Sequence, residues 1–155
     1  MRACALTALV LLFARTACAQ AVPAGWKVVT DSKSACRIAV PAEWVSFGEN
    51  NGAAMLRDST TALAVVTSQP GQEFKPLPAG LAKSVAFSRE MMFENTPKHI
   101  FYQDKASRNA EDPNAFSASI PSKDGTCSVH VVALPSVPAD IAKKIALSLA
   151  PADKT

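Results

Sequence analysis

Two alternating runs carry cysteines in the body of the chain, and their parity constrains the fold more than any other feature. In residues 35–40, Cys36, Ile38 and Val40 fall on one side of an extended chain, with Arg37 and Ala39 on the other. In residues 126–134, Cys127, Val129 and Val131 share a side, with Ser128, His130 and Val132 opposite. Successive side chains of a strand point to opposite faces, so each run reads as a half-buried strand with its apolar face on a core. Both cysteines sit on apolar faces. A Cys36–Cys127 disulfide across the core, between neighbouring strands or sheet layers, fits that parity; two separate buried thiols are the alternative. The bond encloses about 90 residues, for which the chain-entropy account gives on the order of 4 kcal/mol.

A disulfide needs an oxidising compartment, and the first residues point to one. Arg2 precedes the apolar run 5–14, and Ala17-Cys18-Ala19 offers an A-x-A cleavage site before Gln20. These are the parts of a secretory signal peptide, here residues 1–19. The apolar run is far shorter than a membrane span and Arg15 ends it, so no transmembrane segment is expected. A lipoprotein reading of Cys18 meets Arg15 where an aliphatic residue belongs. A mitochondrial presequence would be less uniformly apolar. The expected location is therefore periplasmic or secreted, and the absence of an N-x-S/T acceptor suits a bacterial periplasm.

Residues 20–155 then form one domain of ordinary size. Of 16 Lys and Arg, Arg2 and Arg15 leave with the signal, so 14 bases face 13 acids and the net charge is about +1. No run of basic residues stands out, which argues against nucleic acid and anionic lipid as partners.

Further along, Pro and Gly punctuate short periodic runs. Strands are expected at 26–30, 35–40, 52–57, 62–67, 98–104, 115–120 and 126–134, with a loop over the proline-rich stretch 68–78. The period changes to that of a helix over 79–93, where Leu81, Val85 and Met92 share a face and Pro97 supplies a stop. A second helix is expected over 138–150, capped by Ser136, with Ile141, Ile145 and Leu149 as its buried stripe. Strands clustered around a helix without strict alternation read as α+β: an antiparallel sheet of about six strands with helices packed on it.

The segment 36–44, CRIAVPAEW, resembles the strand-Pro-x-x-Trp opening of the PsbP/Mog1-like fold through Pro41 and Trp44. That resemblance implies an α/β/α sandwich with helices on both faces of the sheet, and a binding or assembly module more readily than an enzyme. Pro41 and Trp44 are themselves structural in that reading.

Chemistry-bearing constellations are sparse. His99 and His130 are the two histidines, each within an expected strand. Two histidines and a committed cysteine pair do not make a zinc site, and no G-x-S-x-G, G-x-x-x-x-G-K or G-x-G-x-x-G occurs. No metal, cofactor or catalytic set is expected. Candidate surface or pocket residues are His130, His99 and the aromatics Trp44, Phe47 and Phe74. Two readings follow. One is an exported, monomeric, non-catalytic binding or assembly factor that contacts a protein or envelope component through loops and one sheet face. The other is a small hydrolase or ligand carrier with a pocket between helix and sheet, using His130 or His99 with an acid. A deep pocket holding a histidine and a carboxylate favours the second; a flat apolar patch favours the first.

Overall fold

A computed structural model of the chain describes residues 22–33, 35–50, 53–57, 62–82, 90–104 and 114–152. The expected signal peptide lies outside them. The elements run β1 (Trp26–Thr30), β2 (Cys36–Pro41), β3 (Val45–Asn50), β4 (Ala53–Arg57), β5 (Ala62–Pro70), α1 (Ala79–Ala82), β6 (Glu90–Asn95), β7 (Ile100–Asp104), β8 (Asn114–Ser122), β9 (Gly125–Ala133), α2 (Ala139–Leu147) and β10 (Ala150–Pro151). They make two antiparallel sheets. One is three-stranded, in the order β1-β2-β10; the other is seven-stranded, in the order β3-β4-β5-β9-β8-β7-β6.

The core forms where alternating faces meet. Ala62, Ala64 and Val66 of β5, Val129 and Val131 of β9, and Phe116 and Ala118 of β8 line one face of the large sheet. On that face lie Ile38 and Val40 of β2 and Ala142, Ile145 and Ala146 of α2. The alanines let the layers approach closely, and the fully buried Ile145, Val66 and Val131 each contribute about 1.5–3 kcal/mol of apolar transfer. Cys36 and Cys127 are bonded across this core, Cα to Cα 5.6 Å, tying β2 of the small sheet to β9 of the large one. The expected Cys36–Cys127 bond is formed, and of the two arrangements that parity allowed it is the one between sheet layers.

The α+β expectation is overturned. Ten strands stand against one nine-residue helix and a single helical turn among the described residues, so the molecule is mostly β, in two sheets. Of the helix expected over 79–93, the described residues form only the turn Ala79–Ala82, and Glu90–Asn95 pairs with β7 as an edge strand. Pro97 is not a helix stop; it sits in the turn 96–99, closed by Thr96 and His99 bonding each other's backbones at 2.8 and 3.4 Å. His99 accordingly precedes β7 rather than lying within it. Strands β3, β6 and β10 were not expected, and β5 runs on to Pro70 through the start of the expected loop. Helix α2 begins after Pro138 without a side-chain cap, so Ser136 does not cap it. Helices on both faces of a sheet, which the PsbP/Mog1-like resemblance implies, are not formed by the described residues. Pro41 ends β2 and accepts the Trp44 N–H at 3.1 Å, while Trp44 is 2% exposed in the core.

Candidate functional site

The sequence-derived candidates fall in separate places. Trp44 is core, and its carbonyl accepts from Lys27 Nζ. Phe47 is the extra residue of a β-bulge in β3, where Ser46 pairs with Leu56 and Gly48 with Met55; its side chain lies outside the described residues. Phe74 is half-buried in the loop after β5, a loop fastened by Thr126 Oγ1 donating to Gln72 O at 2.8 Å. His99 and His130 lie on different elements and faces.

His130 is exposed on β9, on the face away from the core, and pairs in register with Ser117 of β8. Its Nδ1 stands 2.7 Å from Ser117 Oγ, and one row along Ser119 Oγ and Ser128 Oγ are 3.0 Å apart. The same row continues to Val65 on β5 and Tyr102 on β7. These are cross-strand hydrogen bonds between opposed polar side chains, the ordinary stabilising unit of a sheet face. Ser117 lies mid-strand between β7 and β9, so the amides around it are committed to the two ladders and do not form an oxyanion hole. The arrangement can share a proton, but it lacks the geometry to stabilise a tetrahedral intermediate.

His99 Nδ1 meets Glu94 Oε2 at 2.9 Å, and its ring lies parallel to Phe101 at 6.0 Å. The hydrogen bond from His99 holds the Glu94 carboxyl below its ordinary value. This is the histidine–carboxylate pair that a catalytic reading asks for, yet it staples the β6–β7 hairpin and is not part of the groove beside α2. No cluster of three or more His, Cys, Asp or Glu able to hold a metal ion occurs among the described residues.

A cavity of about 160 Å³ lies elsewhere, between the small sheet and the end of α2. Val28 of β1 pairs with Ala39 of β2, and Trp26 and Arg37 stand on the same side of their strands. Helix α2 supplies Lys144 and Leu147. The helix end is held there by Ser148, whose Oγ accepts the Ala39 N–H at 2.8 Å and donates to Ile145 O at 2.6 Å. Ser148 thus continues beside β2 the pairing that β10 makes further along it, where Ala150 faces Arg37. Arg37 Nε donates to Pro151 O at 3.2 Å, which anchors the guanidinium, and Lys144 Nζ pairs with Asp140 at 3.0 Å. The Lys144 hydrogen bond holds the Asp140 carboxyl below its ordinary value. Among the described residues, neither a histidine, a cysteine nor a carboxylate lines the groove.

Sequence reasoning passed over this groove. Alternation placed Arg37 and Ala39 on the outer face of β2, but nothing local shows that the end of α2, more than 100 residues later, comes to lie beside them.

No protein-family model matches the sequence, and no curated protein matches it. The functional reading therefore rests on the sequence and geometry of the chain itself.

Proposed function

We propose that the chain is an exported, non-catalytic binding protein that takes a small ligand in the groove between the β1–β2 sheet and the end of α2. One observation carries this reading: Val22 and Val28, 41% and 44% exposed, both line the same groove as Trp26. Exposed apolar side chains gathered in one concavity mark a ligand site more readily than the same side chains scattered. Among the described residues, the other exposed large apolar side chains do not gather in this way. Val45 and Phe93, for example, belong to β3 and β6, the two opposite edges of the large sheet. Among the described residues the lining is apolar side chains with Arg37, Lys144 and Ser148, a composition that suits binding. Export is supported by the cysteine pair bonded across the core together with the signal-like residues 1–19.

Tryptophan emission tests the reading, because Trp26 lines the groove and Trp44 is buried. Titration with a panel of single-ring compounds, one neutral, one anionic and one cationic, should give a saturable change in emission for at least one of them. That change should vanish in Trp26→Phe, and the same ligand should raise Tm. Val28→Phe, at an exposed strand position that tolerates a large side chain, should fill the groove and abolish the response. If no compound gives a saturable, Trp26-dependent signal, the groove is not the site. Function then moves to the loops and the outer sheet face, with a protein or envelope component as partner.

A further inference from the structure

We infer that the ligand of this groove is a small apolar carboxylate, its hydrocarbon body about the size of one ring. The inference rests on the groove being the binding site and adds what it selects. Size comes from the cavity, about 160 Å³; an apolar cavity of about 150 Å³ in another protein holds one benzene. Charge comes from the lining, in which Arg37 and Lys144 are the ionisable residues.

The two cations are differently placed. Arg37 is anchored through Nε to Pro151 O, so its charge is fixed beside the groove, and a guanidinium suits a carboxylate in geometry. Lys144 is held only by the solvent-exposed i,i+4 pair with Asp140, its side chain 61% exposed. Exposed pairs of this kind are weak, so a ligand carboxylate can draw the ammonium over the groove. The negative end of α2 lies at the same place and opposes an anion. Its carbonyls at Lys144, Ile145 and Ala146 accept the backbone N–H groups of Ser148 and Leu149, which weakens that opposition.

Three isosteres separate the contributions: phenylacetate, phenylacetamide and phenethylamine, each titrated by calorimetry and Trp26 emission at low salt. Phenylacetate should bind about tenfold more tightly than the neutral amide, with the amine weakest. Lys144→Gln, an exposed substitution that leaves the core untouched, should weaken phenylacetate several-fold and leave phenylacetamide unchanged. Added salt should weaken phenylacetate alone. Equal binding of acid and amide overturns the carboxylate while leaving the groove as the site. Binding by none of the three removes both. A short peptide ending in a free phenylalanine that binds more tightly than phenylacetate makes the ligand a polypeptide C-terminus and overturns the small acid.

Discussion

Asp31 is 1% exposed, with both carboxylate oxygens occupied. Oδ1 accepts the N–H groups of Ala35 at 2.8 Å and Cys36 at 2.9 Å, and Oδ2 accepts the Ser68 hydroxyl at 2.5 Å. One side chain therefore shapes the β1–β2 turn and pins it to β5, a strand of the other sheet. Removing it strands three donors, two of them next to the disulfide. Asp31→Ala should cost about 2–4 kcal/mol, the range for losing charge-assisted hydrogen bonds and leaving their partners unsatisfied. Ser68→Ala, which removes one donor and its bond, should cost about 1 kcal/mol. Urea unfolding with an unchanged m-value checks both, and equal costs would mean that the turn does not depend on the carboxylate. None of this was legible locally. Asp31 followed by Ser32 and Lys33 reads as an exposed polar turn, and its partner Ser68 is 37 residues away.

At the scale of elements, what could be read depended on whether the period of two was unbroken. Strands β1, β2, β4, β5, β7, β8 and β9 were anticipated from alternation, with ends that differ by a few residues. Both missed edge strands of the large sheet contain a bulge, and a bulge inserts a residue that reverses the parity after it. In β3 the extra residue is Phe47, and Gly48 follows it. In β6 it is Phe93, between Met92 paired with Tyr102 and Glu94 paired with Phe101. The bulge turns the Phe93 ring onto Phe101, 5.0 Å between centroids, and beneath the Lys143 ammonium at 4.9 Å. Met92 of this strand had fallen on the helical face read from Leu81 and Val85. Bulged edges also resist edge-to-edge pairing with another chain. The turn between β8 and β9 carries the pair Asp124-Gly125, and the reason it must end in glycine is tertiary. Gly125 adopts φ +156°, and a Cβ there would stand 2.1 Å from the Gln69 carbonyl oxygen of β5. Gly125→Ala should therefore cost about 3 kcal/mol, combining backbone strain with displacement of a strand end. A melting curve measures it; a loss under about 0.5 kcal/mol, the usual effect of a neutral surface change, would show that β5 yields there freely.

For the molecule as a whole, the question is whether the Cys36–Cys127 bond holds the two layers together or only restricts the unfolded chain. The bond closes a loop with a sequence separation of 91 and joins β2 to β9 through the middle of the core. Other contacts cross the same boundary. Ile38 and Val40 pack into the core cluster, and Asp31 bonds Ser68. These are native-state interactions that reduction leaves in place. The reduced protein should accordingly keep its fold at 25 °C, with Trp44 still buried and the groove still formed, and unfold in one transition. Its stability should fall by about 4 kcal/mol, the chain-entropy value for a loop of this length, read as the difference in urea unfolding with and without reductant. A second, earlier transition on reduction, in which Trp26 emission changes before Trp44 emission, would mean that the small sheet undocks once the bond is gone. In that event the groove would exist only in the oxidised protein, and ligand binding would depend on an oxidising compartment as well as on the chain.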